Sequence, residues 1–188
     1  MNPIEVERTT KETSVVVRLG TAGSVDLAVP ILGHFLTALL TTWGVPADVR
    51  GSGDVAVDPH HLVEDVGIVL GRAVRQAWPG YTGIARYGWA IVPMDEARVE
   101  VALDLSGRPG AWLEGFPAGP VGGVDGEVFG EFYAGFARGA EATVHAVVRA
   151  GANRHHQWEA AFKATGLALR AATAPRGQDV LSTKGVIG

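Results

Sequence analysis

The period of the hydrophobic and polar positions changes along the chain, and each change predicts a new element of secondary structure. Residues 5–19 alternate between polar and apolar side chains, which predicts a strand. Residues 20–24 have the composition of a turn, so that 25–29 are predicted to form the returning strand of a hairpin. Apolar residues at helical spacing then predict a helix that begins at Pro30 and ends before Gly44.

A strand region and a second helix follow this first helix. A pair of strands is predicted over 47–57, interrupted at Gly51 and Gly53. Pro59 suits the start of a helix, and apolar residues at helical spacing predict that this helix covers residues 60–77.

The second half of the chain repeats this succession. Two strands, a glycine-rich loop, a helix, a strand and a final helix follow one another before the carboxyl-terminal tail. The predicted strands are 82–92, 98–105 and 142–148, the loop is 115–126, the helices run through 129–136 and over 155–172, and the tail from 173 to 188 is extended.

Two copies of one motif, His-His-x-x-Glu, lie 95 residues apart in the two halves. The first copy occupies residues 60–64 and the second residues 155–159. Upstream of them, the segment Gly33-His34-Phe35-Leu36 matches Gly130-Glu131-Phe132-Tyr133. We therefore predict an α+β fold with two duplicated half-domains, about 1–80 and 81–188 of a single domain, each with a small, mainly antiparallel sheet packed on two helices.

Four of the six histidines lie in these two motifs. Neighbouring side chains on a helix diverge by about 100°, so the two histidines of one motif do not easily face the same ion. The glutamate lies three and four residues further along, on the same helical surface. Imidazole and carboxylate groups without thiolate suit Mn, Fe, Zn or Ni; the alternative is that the histidines merely decorate two helix N-termini. The predicted metal ligands are His60, His61, Glu64, His155, His156 and Glu159.

The composition narrows the class of protein. Hydrophobic residues make up 47% of the 188 residues and charged residues 19%, as in globular domains, and the net charge of −4 offers no basic surface for nucleic acid. The lack of cysteine excludes disulfides, thiolate zinc sites and a thiol nucleophile. No apolar run is long enough for a membrane span and the first residues do not form a signal peptide, so we expect a soluble, cytoplasmic protein with no membrane partner.

Several further motifs accompany the two histidine pairs. They are Arg8-Thr9-Thr10-Lys11-Glu12-Thr13, Pro93-Met94-Asp95-Glu96, Asp104-Leu105-Ser106-Gly107-Arg108-Pro109, Phe162-Lys163-Ala164 and Ser182-Thr183-Lys184-Gly185. In order and spacing, over nearly the whole chain, these motifs resemble the imidazoleglycerol-phosphate dehydratase family. The resemblance implies a four-helix, two-sheet fold of the ribosomal protein S5 domain 2-like kind, assembled as a homo-24-mer with active sites between subunits.

The resemblance also implies a reaction. Members of this family remove water from D-erythro-imidazole-glycerol phosphate and form imidazole-acetol phosphate in histidine biosynthesis, with two Mn²⁺ ions in each active site. The chemical difficulty is a carbon-bound proton of very low acidity. Two ions on the ring nitrogens would hold the imidazole as an imidazolate, which favours loss of hydroxide, and a carboxylate would carry the proton.

Carried over by position, the resemblance implies roles for individual residues. Glu12 is the expected substrate-contacting acid–base group, and Glu64 and Glu159 are the other expected catalytic residues. The remaining substrate contacts are expected from His34, Arg86, Arg108, Ser182 and Lys184, where arginine suits a phosphate dianion. One ion is expected to take His34, His61, Glu64 and His155, and the other His60, Glu131, His156 and Glu159.

This chain departs from the family pattern near the expected site. Gly33 stands where the family commonly has aspartate, Thr42 where it has a substrate-contacting histidine, and Glu131 where it often has a ligand histidine. His145 is expected to be structural or to support a ligand. Two alternatives therefore stay open: a divergent paralogue that keeps the metal cage but acts on another azole compound, and a non-catalytic, metal-bound shell.

Overall fold

Two four-stranded sheets and four helices form the core of residues 2–187, the part of the chain that the computed structural model describes. The helices are α1 (Pro30–Trp43), α2 (His60–Ala77), α3 (Val128–Ala140) and α4 (Arg154–Ala172). The strands are β1 (Ile4–Thr9), β2 (Thr13–Leu19), β3 (Val25–Leu27), β4 (Ala47–Gly53), β5 (Thr82–Ile84), β6 (Tyr87–Met94), β7 (Ala97–Asp104), β8 (Gly110–Glu114), β9 (Pro120–Val121), β10 (Val124–Asp125), β11 (Thr143–Ala150) and β12 (Pro175–Val180). A short 3₁₀ turn, Pro79–Tyr81, follows α2.

Both halves of the chain have the same order of core elements. The first half runs β1, β2, β3, α1, β4, α2, and the second runs β6, β7, β8, α3, β11, α4. The sheets have the matching strand orders β1-β2-β4-β3 and β6-β7-β11-β8, with the last pair of each parallel and the other pairs antiparallel. The predicted α+β fold with duplicated half-domains is therefore confirmed.

The hairpin predicted around residues 20–29 is wrong. β3 pairs with β4 in parallel, with Val25 opposite Val49, instead of returning along β2. Parallel neighbours need a crossover connection, and α1 supplies it between β3 and β4. β4 is also a single strand where a pair was predicted, and β8 is an unpredicted strand that lies parallel to β11 in the second half.

Arg86 divides the strand predicted over 82–92 into β5 and β6. Its φ of 68° lies in the left-handed region, which turns the chain between the two strands. β5 pairs with β12, so the carboxyl-terminal segment is extended, as predicted, as far as Val180. The predicted tail ends at Gly188, which lies outside the described residues. The glycine-rich loop 115–126 contains the small hairpin of β9 and β10.

The four helices pack in two pairs, and each pair joins the two halves. α1 lies against α4, and α2 lies against α3. Glycines let the second pair approach closely: a Cβ at Gly67 would lie 2.2 Å from the carbonyl oxygen of Phe132, and one at Gly135 would lie 2.3 Å from that of Glu64. Because the pairs cross between halves, the first helix of one half lies beside the motif helix of the other.

The hydrophobic core lies between the helices and the inner faces of the sheets. Val15 and Val17 of β2 and Val99 of β7 are fully buried, as their alternation with more exposed neighbours predicts. Phe35 of α1 packs on Phe162 of α4, with ring centroids 5.4 Å apart, so aromatic contacts tie the halves together. Within residues 2–187, no helix combines the length and the apolar character that a membrane crossing requires.

Candidate metal and phosphate sites

His34, His155 and Glu159 bring donor atoms of α1 and α4 together; we call these three residues the second-half donor set. His34 Nε2 lies 3.1 Å and His155 Nε2 lies 3.0 Å from Glu159 Oε2. One possible ligand atom from each residue lies within 4.8 Å of the others. Asn153 caps α4 by accepting hydrogen bonds from the amides of His155 and His156, which fixes the start of the helix. Imidazole and carboxylate at this spacing can hold a divalent transition metal ion.

Lys163 completes the surroundings of Glu159. Its Nζ lies 2.8 Å from Glu159 Oε1, one helical turn further along α4. Burial opposes ionisation of Glu159, but the hydrogen bonds and charges of Lys163 and His34 outweigh it and hold the pKa of Glu159 at about 2. The carboxylate is therefore ionised at neutral pH, as a metal ligand must be.

Glu131, His60 and Glu64 occupy the equivalent positions on α3 and α2; we call them the first-half donor set. His60 Nε2 lies 3.5 Å from Glu131 Oε1. Asp58 Oδ1 accepts a hydrogen bond from the amide of His60 at 2.9 Å, as the capping asparagine does in the other half. Glu64 forms an ion pair with Arg138 of α3. This set offers one imidazole and two carboxylates, where its counterpart offers two imidazoles and one carboxylate, and its Glu64 is already engaged by an arginine.

The second histidine of the first motif, His61, points away from its own donor set. His61 Nδ1 lies 3.5 Å from Asp54 Oδ1 and 3.8 Å from Glu12 Oε2. The hydrogen bond with Asp54, together with the charge of Glu12, raises the pKa of His61. Glu12 itself is exposed in the turn between β1 and β2. Adjacent histidines therefore diverge as the helical geometry predicts.

His156 behaves in the same way in the second motif. Its Nδ1 lies 2.8 Å from Glu96 Oε2, and its Nε2 lies 3.6 Å from Asp95 Oδ2. The hydrogen bond with His156, supported by the amide of Asn153, lowers the pKa of Glu96 to about 2, and the same contact raises the pKa of His156. Each motif thus presents one histidine to its donor set and one to a separate acidic surface.

The grouping of donors within the chain differs from the one that the resemblance implied. His34 and His155 share Glu159, whereas the expected partner was Glu64. The reason is that His155 and Glu159 are one turn apart on α4, and α1 packs on that helix rather than on α2. Within one chain, Glu159 therefore lies where Glu64 was expected, while His34 stacks on His155 and His60 lies near Glu131. The two ligand sets that the resemblance implies stay predictions.

The four residues expected at a phosphate line one cleft of about 700 Å³. It opens between the start of β6 and the segment after β12. Arg108 presents a side chain that is 61% exposed. Well-separated parts of the sequence converge in this cleft, whose expected phosphate contacts are Arg86, Arg108, Ser182 and Lys184.

Asp104 holds the arginines of this cleft, and the sequence reasoning missed it as a functional residue. Arg86 donates from Nε to Asp104 Oδ1 at 2.7 Å and from Nη2 to Oδ2 at 3.0 Å, and from Nη1 to the carbonyl oxygen of Leu181 at 2.7 Å. Arg108 Nη2 lies 3.8 Å from Asp104 Oδ2. Arg86 thus anchors the carboxyl-terminal segment while Arg108 faces solvent. The signal was available, since Asp104 lies four residues before Arg108 in the same motif.

The cleft and the second-half donor set lie at opposite ends of α4. The amide of Arg86 donates to the carbonyl oxygen of Ala172, the last residue of the helix, at 2.8 Å. Glu159 lies thirteen residues earlier (172 − 159) in the same helix. At a rise of 1.5 Å per residue, the two sites of one chain are roughly 20 Å apart.

Thr42 and Gly33, two of the positions where the chain departs from the family pattern, differ in their surroundings. Thr42 lies in the α1–α4 interface, where its Oγ1 donates to the carbonyl oxygen of Lys163 at 3.0 Å. A Cβ at Gly166 would lie 2.1 Å from this Oγ1, so Thr42 serves helix packing. At Gly33 an added Cβ would meet its nearest neighbour at 3.8 Å, so the backbone there has room for a side chain.

Known sequences match this chain over almost its whole length. A family model for imidazoleglycerol-phosphate dehydratase matches residues 28–169. Curated imidazoleglycerol-phosphate dehydratases from Granulibacter bethesdensis and Anaeromyxobacter dehalogenans are 46% and 47% identical, respectively. The alignments cover 97% of this chain in both cases, and 97% and 90% of those relatives.

Solved structures match the fold as well. IGPD from Pyrococcus furiosus superposes with a TM-score of 0.88 at 41% identity, covering 97% of this chain and 100% of that one. Imidazoleglycerol-phosphate dehydratase from Staphylococcus aureus superposes with a TM-score of 0.82 at 29% identity, covering 93% and 99%.

The duplicated fold, the paired donor sets and these matches define the chain as an enzyme of the lyase class, a dehydratase. It belongs to the imidazoleglycerol-phosphate dehydratase family, which confirms the resemblance that the sequence motifs show.

Proposed function

We propose that this chain removes water from D-erythro-imidazole-glycerol phosphate to form imidazole-acetol phosphate in histidine biosynthesis, in the cytoplasm. The observation that carries the proposal is the convergence of histidine and carboxylate donors at one end of α4 and of arginine, serine and lysine in a cleft at its other end. The first group suits an imidazole ring with divalent ions, and the second suits a phosphate dianion.

The imidazole and carboxylate donors of the two sets suit two Mn²⁺ ions per active site. One ion would be held by His34, His155 and Glu159, whose donor atoms converge, and the other by Glu64 with His60 and Glu131, which lie 3.5 Å apart. Within each motif, the remaining histidine, His61 or His156, faces an acidic surface of its own chain and is partly exposed. We infer that these two histidines complete the coordination of ions held mainly by a neighbouring subunit. When bound, the ions would supply Lewis acidity to the ring nitrogens of the substrate.

The length of α4 supports active sites between subunits. Five bonds separate the imidazole ring from the phosphorus atom of this substrate, so with bonds of about 1.5 Å the two groups are less than roughly 8 Å apart. The donor set and the cleft of one chain are roughly 20 Å apart along α4. One substrate molecule cannot reach both in one chain, so a site that uses the second-half donor set needs the cleft of another subunit. A homo-24-mer is the assembly that we propose.

The carboxylate of Glu12 is suited to move the proton of the reaction. It is exposed at the β1–β2 turn and lies 3.8 Å from His61, a group that the proposal places at the ions. Dehydration removes a proton from carbon and a hydroxyl group from the neighbouring carbon, and the resulting enol becomes the ketone of the product. We propose that Glu12 accepts or returns the proton, while Glu64 and Glu159 hold their charge in the donor sets.

The phosphate would bind in the cleft. Arg108 and Lys184 are exposed there, with Arg108 only 3.8 Å from Asp104, and Ser182 offers a hydroxyl group. Arg86 is buried and bidentate on Asp104, so its main contribution is a fixed positive charge and a fixed position of the segment that carries Ser182.

Turnover of the synthetic substrate by the purified chain tests this proposal. Loaded with Mn²⁺, the chain should form imidazole-acetol phosphate, and Glu64→Ala should not. Glu100→Ala is a matched control, because Glu100 pairs with Arg149 on the second sheet and belongs to neither donor set. No product above the Glu64→Ala background would contradict the proposed activity. Rescue of a histidine auxotroph would further exclude an altered substrate and a non-catalytic shell.

A further inference from the structure

Glu12 and Glu96 occupy equivalent positions in the two halves of the chain. Glu12 directly precedes Thr13, the first residue of β2, and Glu96 directly precedes Ala97, the first residue of β7. Both strands bury every second residue, starting from the first, so their faces are in the same phase. Each glutamate therefore ends the turn of the first antiparallel pair of its half, β1 with β2 or β6 with β7.

The two glutamates make different contacts. Glu12 Oε2 lies 3.8 Å from His61 Nδ1, beyond hydrogen-bond distance, and the Glu12 side chain is 58% exposed. Glu96 Oε2, in contrast, lies 2.8 Å from His156 Nδ1. Glu96 Oε1 accepts hydrogen bonds from the amides of residues 153 and 152, at 2.9 and 3.3 Å. Glu96 thus holds both a histidine of the second motif and the segment that leads into α4.

The length of the connection before each motif helix accounts for this difference. Gly53 and Gly151 lie against the starts of β2 and β7, where an added Cβ would crowd the opposite strand. From Gly53 to the capping residue Asp58 the chain advances five positions (58 − 53), but from Gly151 to the capping residue Asn153 only two (153 − 151). The shorter connection brings the start of α4 onto the side chain of Glu96.

Asp54 takes the corresponding place beside the histidine of the first half. It directly follows Gly53, and its Oδ1 lies 3.5 Å from His61 Nδ1, while its amide donates to the main-chain carbonyl oxygen of Glu12 at 3.1 Å. In the second half the residue after the glycine is Ala152, which has no carboxylate. The side chain of Glu12 is therefore not needed to orient a histidine, whereas that of Glu96 is.

The contacts of Glu96 select one tautomer of His156. Two amide donors favour the ionised form of Glu96, and an ionised carboxylate only accepts hydrogen bonds. Nδ1 of His156 must therefore carry the proton, so that in the neutral ring the lone pair lies on Nε2. Nε2 faces outward, 3.6 Å from Asp95 Oδ2 on a side chain that is 75% exposed. A metal-ligating imidazole needs this combination of one bound proton and one accessible lone pair.

We propose that Glu96 is a positioning residue, which fixes the ring and tautomer of His156 so that Nε2 is ready to bind a metal ion. It rests on the proposed function, which places His156 at an ion. Glu12, at the equivalent position, keeps an exposed carboxylate that suits proton transfer. The duplication thus supplied two equivalent glutamates, one that orients a ligand and one that serves the chemistry.

Glutamine and aspartate at position 96 separate this role from a merely structural one. Glu96→Gln keeps the length of the side chain but has one accepting and one donating end, so it cannot accept from both His156 and the backbone amides. Glu96→Asp keeps the carboxylate on a shorter stem. Glu96→Gln should weaken Mn²⁺ binding by about ten- to hundredfold, and Glu96→Asp should weaken it less. Isothermal titration measures the affinities, and circular dichroism verifies folding. A residue that only held the loop would give the opposite order.

Glu12→Gln is the matched control, because it removes the same charge at the equivalent position. It should lose turnover but bind Mn²⁺ like the wild type. Solid-state ¹⁵N NMR of the metal-free, histidine-labelled chain reads the tautomer directly at alkaline pH, where the ring is neutral, and His156→Asn identifies the signals. The proton should lie on Nδ1 in the wild type and on Nε2 in Glu96→Gln.

A proton on Nε2 of His156 in the wild type would overturn the proposal, and so would a folded Glu96→Gln variant that binds Mn²⁺ like the wild type. If Glu96→Gln does not fold, the wild-type tautomer and the affinity of Glu96→Asp decide in its place. Turnover is measured separately. A wild-type chain with the expected tautomer and Mn²⁺ binding but no product would contradict the proposed function and leave the role of Glu96 standing.

Discussion

The two copies of the His-His-x-x-Glu motif have the same spacing, yet they are in different electrostatic states. In the second copy, Glu159 is shared by two imidazoles and supported by Lys163, so the donor atoms already converge. In the first copy, Glu64 is paired with Arg138 and the remaining contact, between His60 and Glu131, is longer at 3.5 Å. The difference arises from the helix that packs on each motif and not from the motif itself. The duplicated motif therefore places the same donor residues at equivalent positions. The neighbouring helix determines whether those donors converge or are paired with another side chain.

The largest expected effect comes from removing the shared carboxylate of the second copy. Glu159→Gln should lower the rate of product formation at least about a thousandfold, because both histidines of the set lose the group between them and Lys163 is left uncompensated. Glu64→Gln should also inactivate, with a smaller loss of Mn²⁺ binding. Steady-state kinetics and metal analysis of the purified variants measure both effects. Equal loss of Mn²⁺ in the two variants would show that the two donor sets bind the ion equally well.

Stepwise removal of metal should separate the two sets. We expect the first-half set to release Mn²⁺ at about tenfold lower chelator concentration than the second, since Glu64 has Arg138 as an alternative partner. Electron paramagnetic resonance of free Mn²⁺ during a chelator titration would show two phases, and light scattering would follow the assembly. Because ions shared between subunits stabilise the interface, the particle should loosen or dissociate as they leave. A single phase with an unchanged particle would contradict both expectations.

Arg138→Ala should make Mn²⁺ binding at the first copy of the motif more similar to that at the second. Both side chains of the Arg138–Glu64 pair are partly exposed, so the pair is worth about 0.2–1 kcal/mol and its loss should tighten Mn²⁺ binding at the first-half set by a factor of about two to five. Isothermal titration with Mn²⁺ measures the change. Arg149→Ala removes a similar surface pair on the second sheet and is the matched control. If both variants bind Mn²⁺ like the wild type, Arg138 does not compete for Glu64.

The last expected effect is a change of metal preference, with no loss of binding. Glu131→His gives the first-half set the same two imidazoles and one carboxylate as the second. Because imidazole suits Zn²⁺ better than Mn²⁺ relative to carboxylate, we expect the ratio of Zn²⁺ to Mn²⁺ affinity at this set to rise by about two- to tenfold. Competition titrations with the two ions test this, with the second-half set as an internal reference that should not change.

Local patterns predicted the helices well and the strand pairings poorly. α2 covers His60–Ala77, as the helical spacing after Pro59 predicts, and α4 begins one residue before the predicted start. The parallel pairing of β3 with β4 depends on a crossover through α1, and no local alternation of side chains reveals which neighbour a strand will choose. The glycine-rich loop likewise hid a small hairpin.

Local spacing accounts for some contacts among the predicted site residues, whereas their grouping depends on which helices pack together. Spacing on one helix predicts that His155 and Glu159 share a face, and the structure agrees. The partner of Glu64 is Arg138, 74 residues away on α3, and depends on which helices pack together. The same holds for Asp104, whose carboxylate accepts a hydrogen bond from Arg86, a residue with a positive φ that lies 18 positions earlier in the chain. Pairings of this kind are long-range packing results that a single sequence does not display.

The crossed pairing of the helices makes the chain an internal dimer. Neither half contains a complete donor set, because each set takes one residue from the first helix of one half and two from the motif helix of the other. A fragment ending near residue 80 would have to find a copy of itself, or the other fragment, before any set could form. A single half could therefore assemble a donor set only as a dimer, at a concentration-dependent cost, whereas in the joined chain each donor set assembles as the chain folds.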